Sequence, residues 1–186
     1  EKDFDSATVL FADVKNFSGA AETLTAEQIA AEQESNFRHF DEIISKYKIE
    51  KIKTIGDAYL CVGAMPNASA DNAYHTICAA LEIQEFVKNK KEERQKNGNA
   101  YFEIRIGIHT GPLIAGIVGL RKFSYDIWGD TVNIAARMEQ HGEVGKINIS
   151  STTYELVKGK VSCTHRGKTE GKHKAPLDMY FVNSIG

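Results

Sequence analysis

The chain has 186 residues, 42% apolar and 26% charged, with no low-complexity tract and no repeat at a fixed period. That fits one domain, with a core over about residues 6–183, able to bury roughly 70% of its unfolded surface. A net charge of -2 supplies no global field for nucleic acid or a membrane, so nucleic acid is not an expected partner and any anion site must be local.

The elements are read in chain order. Ala7 to Ala12 is a continuous apolar run of strand length, ended by Asp13. Thr25 with Gln28 reads as a capping box opening a long helix, on which Phe37, Phe40, Ile44 and Tyr47 form one core-facing stripe. Two short apolar runs flank Gly56-Asp57 between Lys51 and Val62, which predicts a tight hairpin with a carboxylate on its tip. A second helix follows from about Asp71, its end dissolving into the alternating charges of Lys88 to Lys96, a solvated helix end without an assigned role. Phe102, Ile104, Ile106 and Ile108 alternate with Arg105 and Gly107, placing Arg105 on the face opposite the core. Thr110-Gly111-Pro112 is expected to turn the chain into a partner strand at Leu113 to Val118, and Lys122 to Trp128 into an aromatic-rich hairpin arm. A third helix from Gly129-Asp130-Thr131 to about Gln140, a strand at Lys146 to Ile149, a short helix to Val157 and strands near Val161 to Arg166 and Met179 to Val182 complete the chain. The order gives an α+β fold: a ferredoxin-like βαββαβ antiparallel sheet with helices on one face and a C-terminal αβ extension.

Cys61, Cys78 and Cys163 are far apart and form no C-x-x-C, which excludes a disulfide framework or zinc knuckle and fits a reducing, cytoplasmic compartment. No run approaches the ~20 apolar residues of a membrane span, and Glu1 to Asp5 lack a signal-peptide pattern. Without an initiator Met, the chain reads as a soluble module of a longer protein, whose regulatory or membrane segments lie elsewhere.

In a βαββαβ sheet the first strand adjoins the central hairpin, so Asp13 and Asp57 converge. Paired carboxylates on strand ends suit Mg²⁺ or Mn²⁺ with room for substrate phosphates; the alternative is a pair of turn carboxylates satisfied by backbone N–H groups. Asn133 and Arg137, four apart, share a helix face and offer a hydroxyl partner and a bidentate phosphate partner. Arg105 and Lys172 add cations, although Lys168, Lys172 and Lys174 also read as a solvated basic loop.

The blocks Phe11-Ala12-Asp13-Val14-Lys15-Asn16-Phe17-Ser18, Lys51 to Asp57, Arg105 to Gly111 and Tyr125 to Asn133 resemble the signatures of class III nucleotide cyclase catalytic domains, in order and across about Ser6 to Asn183. The resemblance implies a head-to-tail dimer with active sites between ferredoxin-like subunits. It places two metal ions on Asp13 and Asp57, transition-state contacts on Asn133 and Arg137, polyphosphate contacts on Arg105 and Lys172, and base reading on Lys53 and Asp126. Adenine pairs an acceptor at N1 with a donor at N6, which suits a lysine beside an aspartate, whereas guanine reverses both. The expectation is an adenylate cyclase homodimer with two complete sites, Asp13, Asp57 and Arg105 coming from one chain and Lys53, Asp126, Asn133, Arg137 and Lys172 from the other. A guanylate cyclase would carry an acidic residue at position 53 and a small one at 126. An inactive dimerisation or nucleotide-sensing module would have lost a metal aspartate, Asn133 or Arg137. Two departures stand out: Asn16 replaces the usual glycine after the first metal motif, and Lys172-His173-Lys174-Ala175 replaces Lys-Gly-Lys-Gly. Phe123, Tyr125 and Trp128 are candidate dimer contacts, Trp128 being equally a core residue.

Overall fold

The computed structural model describes residues 1–18, 21–119, 124–169 and 175–186, the side chains of residues 16–18 and 21 excepted. The elements are β1 (Lys2–Ser18), α1 (Ala26–Ser45), β2 (Glu50–Ile55), β3 (Ala58–Gly63), α2 (Ser69–Lys96), β4 (Tyr101–Val118), β5 (Ser124–Trp128), α3 (Asp130–Gln140), β6 (Ile147–Ser150), α4 (Ser151–Val157), β7 (Val161–Lys168) and β8 (Asp178–Ile185). One eight-stranded sheet runs β2-β3-β1-β4-β6-β8-β7, with β5 pairing β4 off that path. Its β2-β3-β1-β4 part is antiparallel throughout, the βαββαβ order expected, and β6 joins β4 in parallel.

The two helices of the βαββαβ core, α1 and α2, lie on one face of the sheet as expected, and α3 of the C-terminal addition covers the other. The period of two divides β1. Leu10, Ala12 and Val14 join Phe37, Phe40 and Ile44 of α1, Ile77 and Ile83 of α2, and Ile104, Ile106 and Ile108 of β4 in one core. Ala7, Val9 and Phe11 point the other way, into a second core with Leu60, Val62, Leu113, Ile127 and Ala135 of α3. Glycines on β4 make room for α3: a methyl on Gly107 would sit 2.0 Å from the Glu139 backbone nitrogen, and one on Gly111 2.5 Å from the Thr131 hydroxyl. A Cβ at Gly107 therefore requires α3 to move, while one at Gly111 displaces the Thr131 side chain.

Helix α1 begins as its sequence demands. The Gln28 N–H donates to Thr25 Oγ1 at 3.1 Å and the Thr25 N–H to Gln28 Oε1 at 2.9 Å, which satisfies two otherwise orphaned donors. The charged end of α2 is less solvated than its sequence implies. Lys90 and Arg94 reach Glu32 of α1 at 2.8 and 3.1 Å, and Lys91 reaches Glu103 at 3.2 Å, so these side chains bind α2 to its neighbours.

The turn expected at Thr110-Gly111-Pro112 does not form; β4 passes straight through. Thr110 pairs with Thr8 and Gly111 with Ala7, and a register shift before Phe4 accommodates the proline, which has no N–H to give the ladder. Thr131 Oγ1 donates to the Pro112 carbonyl at 2.5 Å, so α3 occupies that acceptor. Strand β1 likewise continues past Asp13 to Ser18.

Among the buried polar groups, His109 is 8% exposed and its Nδ1 hydrogen-bonds Ser150 Oγ at 2.6 Å. Burial holds its imidazole down to about 4, against the opposing charge of Asp130. A histidine kept neutral by folding stabilises the native state fully above its unfolded value near 6.5, and that stabilisation is lost as pH falls from there towards 4. On the order of 3 kcal/mol should disappear over that window. Urea midpoints measured at about pH 7 and about pH 4.5 check this, and His109→Gln should flatten the difference.

Candidate active site

The β2–β3 hairpin turns at Gly56, whose φ of 58° lies in the left-handed region glycine tolerates. This presents Asp57, exposed, beside β1: Asp13 pairs with Ala58, and the Val14 N–H donates to the Asp57 carbonyl at 3.0 Å. The two aspartates are thus adjacent by strand geometry. From α1, the Gln33 amide donates to the Gly56 carbonyl at 3.1 Å and to Asp57 Oδ1 at 3.2 Å, tying the tip to the helix.

On the other side of β1, Asp13 lies directly opposite Arg105 of β4. Both face α3, and there they meet Glu139. The guanidinium donates through Nε and Nη2 to Glu139 Oε2, each at 2.7 Å. Burial, followed by the hydrogen bond and charge of Asp13, holds the Glu139 carboxyl above its ordinary value, with Arg105 opposing. The Asp13 carboxylate also pairs with Lys15 at 3.0 Å.

Lys53 and Asp126 meet elsewhere. Strict alternation would put Lys51 and Lys53 on one face of β2, but the register against β3 shifts between them: Lys51 faces Cys61 and Lys53 faces Leu60. This bulge sends Lys51 towards Asp41 of α1, at 3.3 Å, and Lys53 to the opposite face. There its ammonium meets Asp126 Oδ2 at 2.8 Å, while Asp126 Oδ1 accepts the Ile127 N–H at 2.8 Å and is fixed in direction.

Asn133 and Arg137 lie one turn apart on α3 and line one cleft of about 500 Å³ with Asp130, Gln140, Ala175 and Leu177. Asn133 is exposed, and Arg137 donates to the Ala175 carbonyl at 3.1 Å. The field here is positive: His141 is held below its ordinary value by burial and then by Arg137, Arg166 and Arg105.

Seven of the eight expected site residues therefore fall into groups. Asp13 of β1 lies between Arg105 on β4 and the hairpin end that carries Asp57, Lys53 meets Asp126, and Asn133 and Arg137 share a cleft. Among the described residues no hydrogen bond or ion pair joins the first group to the others. Lys172, Lys174, Phe123 and the side chain of Asn16 lie outside the described residues. Tyr125 is 37% exposed, whereas Trp128 packs against Gly116. Sequence reasoning missed Glu139 and Gln33. The signal for Glu139 was present, since it follows Ala135 by four and adjoins Met138 on the buried face of α3, where an acidic residue is out of place. Gln33 carries no comparable mark.

Hard carboxylate oxygens at Asp13 and Asp57 match Mg²⁺ or Mn²⁺, which retain waters and take the rest of their shell from substrate phosphates. No group of three or more His, Cys, Asp or Glu side chains poised for a metal occurs among the described residues. The residues fit the group.

Comparison with known proteins identifies the class of this domain. The model of the adenylate and guanylate cyclase catalytic domain matches residues 1–184, and the chain belongs to that family, the class III nucleotide cyclases. An adenylate cyclase of Mycobacterium tuberculosis is 34% identical over 179 residues, covering 96% of this chain and 40% of that protein, so the chain spans less than half of that curated relative. The crystal structure of the guanylate cyclase domain of RhGC from Catenaria anguillulae, in complex with GTP, superposes with a TM-score of 0.88 at 33% identity over 100% of both chains. A dimeric guanylyl cyclase domain from the aquatic fungus Blastocladiella emersonii does so with a TM-score of 0.86 at 30% identity, again over 100% of both. Relatives acting on either purine nucleotide thus lie at similar distance. No helix among the described residues is long and apolar enough to cross a membrane.

Proposed function

We propose that this domain is an adenylate cyclase that converts ATP to 3′,5′-cyclic AMP and pyrophosphate at sites shared across a head-to-tail homodimer. The observation that carries the choice of base is the contact of Lys53 with Asp126 at 2.8 Å, which puts a donor beside an acceptor, the complement of the acceptor N1 and donor N6 that adenine offers side by side. Guanine would meet a donor with its N1–H and a carboxylate with its O6. Each mismatch costs roughly 1–3 kcal/mol in a buried site.

Asp13 and Asp57 would hold two divalent ions, Mg²⁺ or Mn²⁺. Such ions, when bound, make the ribose 3′-hydroxyl more acidic and neutralise the triphosphate. Asn133 would orient the ribose, and Arg137 would stabilise charge developing on the α-phosphoryl group as the 3′-oxygen attacks in line and pyrophosphate leaves. Arg105, with Lys172, would bind the β- and γ-phosphates. That a solved relative is a dimeric cyclase domain supports a site completed by a second copy.

Product formation from ATP and from GTP, each with Mg²⁺ and with Mn²⁺, tests the reading; a preference for GTP would replace it with a guanylate cyclase. Asp57→Ala is expected to reduce turnover by about 100-fold or more while leaving the melting temperature unchanged, since Asp57 sits exposed on a hairpin tip. Unaltered turnover would remove that tip from the site.

A further inference from the structure

We infer that Glu139 is a positioning residue for Arg105, holding its guanidinium away from Asp13 and in place for the substrate's β- and γ-phosphates. The inference rests on the assignment of Arg105 to polyphosphate binding made above.

Glu139 is 6% exposed, on the sheet-facing side of α3, and its backbone packs directly over Gly107. A carboxylate so placed is costly unless paired, and its partner is Arg105, whereas the neighbouring Asp13, a like charge, opposes its ionisation. Arg105 has an alternative. It lies directly across the ladder from Asp13, a separation that a flexible guanidinium spans easily. An arginine paired with Asp13 would neutralise the carboxylate assigned to metal and would itself be lost to the substrate. The observed pairing differs: both Nε and Nη2 are engaged by one oxygen of Glu139, and the ion-pair partner of Asp13 is Lys15. Contact of Nε and Nη2 with one acceptor limits rotation of the guanidinium and leaves the Nη1 N–H groups and the second Nη2 N–H to extend beyond the pair. Glu139 touches no substrate in this arrangement. It acts through Arg105.

The test measures binding of inorganic triphosphate and of AMP by calorimetry, at constant Mg²⁺, together with KM and kcat for ATP, in the unaltered chain, Glu139→Gln, Arg105→Ala and the double variant. Glutamine preserves the shape but not the charge. Glu139→Gln is expected to weaken triphosphate binding and raise KM by about tenfold, with AMP binding unchanged within about twofold, and to add little to Arg105→Ala in the double variant. Equal losses for triphosphate and AMP, or additive effects in the double variant, would overturn the inference. So would a Glu139→Gln chain that is unfolded at the assay temperature, because Glu139 would then be a structural residue. If Arg105→Ala leaves triphosphate binding intact, the polyphosphate assignment itself fails; if that variant loses binding while Glu139→Gln does not, the assignment stands and only the positioning role falls.

Discussion

Mixing two inactive chains, Asp13→Ala and Arg137→Ala, is expected to restore cyclase activity to about a quarter of the unaltered level, because random pairing makes about half of the dimers mixed and each mixed dimer keeps one whole site. The reasoning follows from where the residues lie. Asp13 is on β1, facing Arg105 and Glu139, whereas Arg137 lines a cleft with Asn133. If a site takes the first set from one chain and the second from the other, both defects of a mixed dimer fall in the same site and the other is intact. Each variant alone spoils both sites, with a loss of roughly 100-fold or more. The recovered signal should therefore stand far above either parent. A mixture that stays inactive, although mass spectrometry detects mixed dimers, would rule out shared sites.

The second large effect is a change of base. Lys53→Glu with Asp126→Ser or Cys should turn the ATP preference towards GTP, the ratio of kcat/KM values moving by about two to four orders of magnitude if each of two contacts contributes 1–3 kcal/mol. The single variants should do worse than the pair with either nucleotide. Lys53→Glu alone sets two carboxylates where a 2.8 Å ion pair now stands, and the Asp126 change alone leaves an ammonium without its partner. An unchanged ratio in the double variant would mean that these two side chains do not read the base.

Much of the architecture was legible because local signals and tertiary needs agree. The Thr25–Gln28 box, the Phe37, Phe40 and Ile44 stripe and the alternation from Phe102 to Ile108 all act where sequence predicts. The failures arise where tertiary contact overrides a local rule. Gly111-Pro112 is a strong turn signature, yet β1 supplies a partner across it and Thr131 takes the proline carbonyl. Helix α3 belongs to the C-terminal addition, and its face was not legible: its inner residues, Ala135 and Met138, show that it packs but not on which side of the sheet. The candidate site residues were named from type and spacing, and the family resemblance added Lys53 and Asp126. Their contact could not be read, because it depends on a bulge that no pattern of apolar residues announces.

That bulge gives β2 a parity. Each residue inserted or removed between Lys51 and Lys53 exchanges the two faces of the strand, while a change of two leaves them as they are. The hairpin can tolerate either as a fold, since its tip and its pairing with β1 lie beyond the shift. If Lys53 and Asp126 read the base as proposed, selectivity cannot, because an odd change turns Lys53 towards α1 and away from Asp126. On that proposal the strand stores a single binary digit that sets the choice of nucleotide.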